Sequence, residues 1–172
     1  WGKHTLWERT SHVPLLISGP CVTKGAKIDA TVSLIDMFPT ITDLACAKDD
    51  QPRDGVSLAS MLKDPTTARD RDVLLPGMKP GEYAIINRDW RYIRYADDTE
   101  ELYDMQNDPN EWTNLAAKPE HAAVIADHKK WLPKIDRPPA PNSASRVLTY
   151  DRKTDEAIWE NKTVRRTDPI PQ

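Results

Sequence analysis

The chain has 172 residues with 24 Lys and Arg against 27 Asp and Glu, a net charge of −3 with both signs interspersed. That balance lacks the basic footprint of a nucleic-acid binder, and without a run of 18 apolar residues no membrane-spanning helix is expected. The length suffices for one domain with a core, and the two cysteines, Cys21 and Cys46, have no Cys-x-x-Cys spacing that would hold a metal by themselves.

In chain order, a polar run with Lys3, His4, Glu8, Arg9 and His12 leads into the apolar run Val13 to Ile17. A short β-rich run of this kind predicts a buried strand, and the polar run before it a loop at a sheet edge, where α/β proteins carry chemistry. Gly19-Pro20 turns the chain. Asp36 is expected to cap a helix through its carboxylate, with Pro39 tolerated in the first turn and the helix ending near Ala47. Phe38, Ile41, Leu44 and Ala45 repeat at helical spacing and predict one buried stripe. Asp54-Gly55 marks a turn, and Val56 to Leu62 a short helix ending at Asp64-Pro65.

From Arg71 the period changes to two. Val73 to Leu75, Tyr83 to Ile86, Trp90 to Tyr95 and Glu101 to Tyr103 read as strands joined by polar turns, an antiparallel meander. Within the third, Trp90 and Tyr92 share one face, Ile93 and Tyr95 the other. A last helix starts at Pro119, with Val124, Ile125, His128, Trp131 and Leu132 on one side. Residues 1–135 form the first part of the chain. Residues 136–172 form a linker and tail, opened by the stiff run Arg137-Pro138-Pro139-Ala140-Pro141. In the tail only Val147 to Tyr150 suggests an edge strand, and Asn161-Lys162-Thr163 has the pattern of a glycosylation sequon.

Several residue types invite a functional reading. Lys3 and His4 form either a solvated loop or an anion site, where an ammonium and an imidazole donate to sulfate or phosphate oxygens. His12, next to the expected strand, reads as a structural histidine bonded to backbone, His128 as a packing histidine and His121 as exposed. The acidic pairs Asp49-Asp50 and Asp97-Asp98 read as turn residues, as does the cluster of Asp104, Asp108 and Glu111.

Four segments, read together, resemble the C-terminal part of the sulfatase family in the alkaline-phosphatase-like superfamily: Trp1 to Glu8 with Ser11 to Ile17, Val32 to Ala45, Asp54 to Leu58, and Glu101 to Ala116. They follow the family's order from Trp1 to about Ile135, and the branch is similar to iduronate-sulfatase-like or choline-sulfatase-like enzymes. The resemblance implies an α/β fold, the end of a main sheet followed by a small antiparallel sheet packed against a C-terminal helix. It implies a sulfuric ester hydrolase acting on a sulfated carbohydrate or small organic sulfate, with a formylglycine nucleophile and a calcium ion. Lys3 then matches a lysine that contacts a sulfate oxygen, a catalytic and substrate-binding role, and His4 a position facing substrate.

The departures are as specific. No Cys-x-Pro-x-Arg motif is present, and the Asp-His or Asp-Asn pair that would supply calcium ligands falls upstream of Trp1. The chain is therefore expected to represent the later portion of such an enzyme, to lack the nucleophile and metal ligands, to need an N-terminal half as partner, and to be inactive alone. The parent would be periplasmic or secreted. Cys21 and Cys46 stand where resembling segments carry Gly. Cys46 is expected in a left-handed conformation at a helix end, with a disulfide between the two as a minor alternative. A phosphodiester or phosphonate hydrolase of the same superfamily and a non-catalytic, cleft-shaping or assembly subdomain remain the alternatives.

Overall fold

The computed structural model describes residues 4–69, 71–135, 149–159, 162–165 and 167–168. Two compact units are present, Trp1–Asp136 and Arg137–Gln172. The centre of the first is the meander that the period-two pattern predicts. Strands β1 (Val73–Pro76), β2 (Tyr83–Ile86), β3 (Trp90–Arg94) and β4 (Glu100–Asp104) pair in that order, all antiparallel. The register sets Ile85 opposite Tyr92, and Tyr92 opposite Leu102.

The alternation then dictates two cores, one per sheet face. Ile85, Tyr92 and Leu102 face the last helix, where Ile125 completes their cluster and Trp90 packs against it. Val73, Ala84, Ile86, Ile93 and Tyr103 form the cluster on the opposite face, with Tyr95 beside them, and Leu6 from the opening loop is buried among them. Asn87 caps the β2–β3 turn by accepting from Asp89 and Trp90 amides at 3.0 and 2.8 Å. Before the last helix, a 3-10 turn at Pro119–His121 leads into α4 (Ala122–Lys129). On it His128 is a buried packing histidine, its Nδ1 2.8 Å from the Val124 carbonyl and its Nε2 3.2 Å from Asn87 Nδ2. His121 is half-buried rather than exposed, because its ring tilts against Trp90 with centroids 5.3 Å apart.

The earlier half departs further from expectation. Glu8–Ser11 forms a single helical turn, α1. Val13 to Ile17 forms no strand, and Val13, Leu15 and Leu16 are exposed, Leu16 at 89%. A strand exists only where a neighbour takes its backbone groups, and no strand of the meander pairs with this segment. Helix α2 (Met37–Leu44) forms, but its apolar stripe is not buried, with Phe38 and Ile41 54% and 59% exposed. Its inner face is polar. Thr40 Oγ1 donates to the Asp36 carbonyl at 2.6 Å and accepts from the Leu58 amide at 2.8 Å.

Asp36 likewise is not the expected cap of first-turn amides. It is fully buried at the end of a 3-10 turn, Leu34–Asp36, and its carboxylate joins three segments. It accepts from the Ser33 amide at 2.8 Å, the Val56 amide at 2.8 Å and Arg69 Nη2 at 2.7 Å. Gly55 makes that junction possible, since a Cβ there would meet the Ile35 carbonyl oxygen at 2.0 Å. The short helix α3 (Ala59–Lys63) follows, and Leu58, Met61 and Leu62 bury a third small cluster on which Ile17, Val22 and Leu44 lean. Cys21 and Cys46 are exposed free thiols, so the structure contains no disulfide between them. Both have positive φ, 64° and 50°, as the helix-end reading of Cys46 requires.

The second unit is a three-stranded antiparallel sheet, β5 (Thr149–Asp151), β6 (Glu156–Trp159) and β7 (Lys162–Arg165), in that order. The sequence pattern predicts only part of β5. Tyr150, Ala157 and Val164 align across the three strands, a cross-strand row invisible in a sequence without a clear period. Tyr150 Oη donates to Asp155 Oδ1 at 2.6 Å, with Asp155 in a left-handed turn conformation at φ 56°. The proline run 138–141 and Asn161 lie outside the described residues.

Candidate functional site

The opening loop is the candidate, and what organises it is a buried arginine. Arg91 lies on β3, on the same face as Ile93, and is 1% exposed. Its Nη1 donates to the Leu6 carbonyl at 2.7 Å and to Ser11 Oγ at 3.2 Å, while Nη2 pairs with the Glu8 carboxylate. Nε lies 3.0 Å from Glu111 Oε1, near enough for charge attraction but off the hydrogen-bond direction, so neither atom has a hydrogen-bond partner. The other Glu111 oxygen accepts from the Glu8 amide at 2.9 Å. Loop, strand and the turn after β4 thus meet at one guanidinium, whose planar fork can serve several oxygens at once.

Two further contacts run between the same parts. Trp7 Nε1 donates to Glu101 Oε2 at 3.0 Å, and Arg9 Nη2 to Asn110 Oδ1 at 3.0 Å. The phenols of Tyr95 and Tyr103 also sit in the field of the Glu101 charge. Burial first, and the Glu101 charge second, hold both phenols well above the usual tyrosine range. Glu111 is pushed above the usual carboxylate range by its burial, against the pull of the Glu8 amide and Arg91. His12 is exposed and its Nδ1 lies 2.7 Å from Glu8 Oε1, so its partner is a carboxylate rather than the expected backbone. The described part of the opening motif, His4 to Glu8, and the later motif, Glu101 to Ala116, are therefore one assembly in space.

Lys3 lies outside the described residues. His4 is exposed with φ 74°, a left-handed conformation uncommon for a residue with a Cβ. Arg91 is absent from the candidates that the sequence offers, and Glu111 is the expected turn residue, its amide donating to the Asp108 carbonyl at 3.0 Å, with an ion pair that the sequence does not reveal. The available signal is an arginine on the face that Ile93 and Tyr95 share, a cation on an otherwise apolar side of a strand. The remaining acidic candidates are turn residues as expected. Asp49 accepts from the Gln51 amide and pairs with Arg53, and Asp97 accepts from the Thr99 amide and hydroxyl. Asp104 accepts from the Gln106 and Asn107 amides, and Asp108 from that of Thr113. Among the described residues, no group of three or more His, Cys, Asp or Glu side chains could hold a metal ion.

Comparison with known proteins addresses the assembly as a whole. Residues 1–137 match the family model described as "N-sulphoglucosamine sulphohydrolase, C-terminal". A protein named sulfatase from Formosa agariphila is 35% identical over 136 residues, 79% of this chain and 27% of that one. Arylsulfatase K of Gallus gallus is 33% identical over 169 residues, 88% of this chain and 30% of that one. A choline-sulfatase of Rhizobium meliloti is 36% identical over 126 residues, 69% of this chain and 24% of that one. The chain thus spans between 24% and 30% of the length of these relatives. Among solved structures, a 2-O GAG sulfatase superposes with a TM-score of 0.54 at 26% identity, over 66% of this chain and 27% of that one.

Proposed function

The chain belongs to the family described as N-sulphoglucosamine sulphohydrolase, C-terminal, and from that premise we propose that it contributes the Lys3–His4 loop to the active site of a sulfate-ester hydrolase. The observation that carries this reading is the extent of the family match, residues 1–137, which includes the loop, Arg91 and the Glu101–Ala116 segment together. In this reading the Lys3 ammonium holds a sulfate oxygen. A compact charge on a long stem suits that task, and it gains strength as charge builds on the sulfuryl group in the transition state. His4 faces the substrate from the neighbouring position.

The formylglycine and calcium expected of such an enzyme do not fit the residues of this chain. Neither Cys21 nor Cys46 is followed by Pro-x-Arg, and of the carboxylates that contact the described part of the loop, Glu8 and Glu111 pair with Arg91 and Glu101 accepts from Trp7. In this reading the 172 residues supply neither group, and the chain alone is inactive. The substrate class is a sulfated carbohydrate or a small organic sulfate. The likeness to a 2-O GAG sulfatase supports the first, and the likeness to a choline-sulfatase the second.

The purified 172-residue chain is expected to leave a generic aryl sulfate intact while binding inorganic sulfate through Lys3. Turnover of the ester by the chain alone would overturn its inactivity. Sulfate binding unchanged by Lys3→Ala would overturn the role of Lys3.

A further inference from the structure

We infer that Arg91 is a positioning residue for the opening loop from His4 to Ser11, an inference that rests on the sulfatase reading of that loop. Among the described residues, Arg91 makes its loop contacts from Leu6 onward and not at His4. It grips the segment just after it, at the Leu6 carbonyl, the Glu8 carboxylate and Ser11 Oγ, while Glu111 takes the Glu8 amide from the other side. The Leu6 side chain is buried in the sheet cluster, so the chain is fixed two residues beyond His4 by its carbonyl and its side chain together.

A packing role alone does not call for this arrangement. An apolar side chain of similar volume commonly stabilises a buried site as well as an ion pair does. What the guanidinium adds is direction, since its N–H groups are rigidly splayed and each acceptor must come to its own place. An ammonium at the same position would keep the charge and lose the fork. The loop's hold on the sheet is thus geometrically specific from Leu6 to Ser11, the segment that follows His4.

The test compares the 172-residue chain with Arg91→Lys, Arg91→Met and Glu8→Gln. Two readouts are taken, amide hydrogen exchange of residues 4–12 against β2–β4, and titration with inorganic sulfate followed at the Lys3 and His4 amides. In Arg91→Lys, loop exchange rises and sulfate affinity falls by about tenfold each, with β2–β4 exchange unchanged. Glu8→Gln, which leaves Arg91 in place should the Met variant fail to fold, raises loop exchange in the same selective way. Loop exchange unchanged in both Arg91→Lys and Glu8→Gln overturns the inference. Loop and sheet exchange rising together, or sulfate affinity holding while the loop loosens, overturns it as well. If the parent chain binds no inorganic sulfate, the sulfate reading of Lys3 fails separately. Loop exchange in Glu8→Gln then decides Arg91, a selective rise supporting the clamp and no rise overturning it.

Discussion

The indole of Trp7 donates to the Glu101 carboxylate at 3.0 Å, joining residues 94 positions apart. The charge of the same carboxylate acts on the phenols of Tyr95 and Tyr103, so a tryptophan of the opening loop and two tyrosines of the sheet meet one carboxylate. Trp7→Phe keeps most of the ring contact and removes the donor. The expected loss is about 1 kcal/mol, read from the urea midpoint, because the bond has a charged acceptor but is open to solvent. In Glu101→Gln, both phenols should titrate at lower pH by ultraviolet absorbance, though not down to the ordinary value, since burial is the larger cause.

Asp36 is the other junction. Replacing it by Ala strips partners from the Ser33 and Val56 amides and leaves Arg69, whose side chain is 9% exposed, without its counter-charge. Breaking one side of a buried pair costs about 3–5 kcal/mol. Chemical denaturation should show that loss, with residues 33–36, 55–58 and the Arg69 segment losing exchange protection before β2 and β3 do.

The two exposed cysteines point to substitutions that should stabilise. Both occupy left-handed backbone, at φ 64° and 50°, where a Cβ is unfavourable and glycine is not. Cys46→Gly should gain about 0.5–1 kcal/mol after the greater chain entropy of glycine is subtracted, while Cys46→Ala should gain nothing. Equal gains from both would show that the thiol rather than the backbone is responsible.

Glu111 predicts the sign of one pH effect. Its carboxyl is raised by burial from an ordinary value of 4.5, so above pH 4.5 the unfolded chain has lost a proton that the native state still holds. Stability from this group is therefore full below 4.5 and declines as pH rises through the raised native value. Asp104 acts in the opposite sense. The Asn107 side chain lowers its carboxyl, and that contribution is lost as pH falls through the depressed value. Glu111→Gln should remove the decline above pH 4.5 in a stability-against-pH series, and leave the acid limb in place.

How much of this was legible from residues alone depends on the range of the forces involved. Period two from Val73 to Tyr103 determined four strands, their order and their two faces, because alternation is a local property and short turns leave no other pairing. The left-handed Cys46 and the packing role of His128 followed from local rules as well. The recurrence of four segments in register determined the family. Tertiary structure alone decided the rest. Val13 to Ile17 has strand composition without a strand, since pairing requires a partner that composition does not provide. The 3-10 turn and helix α2 bring Asp36 and Thr40 inward and leave Phe38 and Ile41 out, because the amides of Val56 and Leu58 in the neighbouring segment need acceptors. Arg91 and Glu111, both unremarkable in a charged sequence, become the centre of the candidate site only when the chain brings Glu8 to them. A buried charge can be read from a sequence only together with its partner, and here the partner lies 83 residues away.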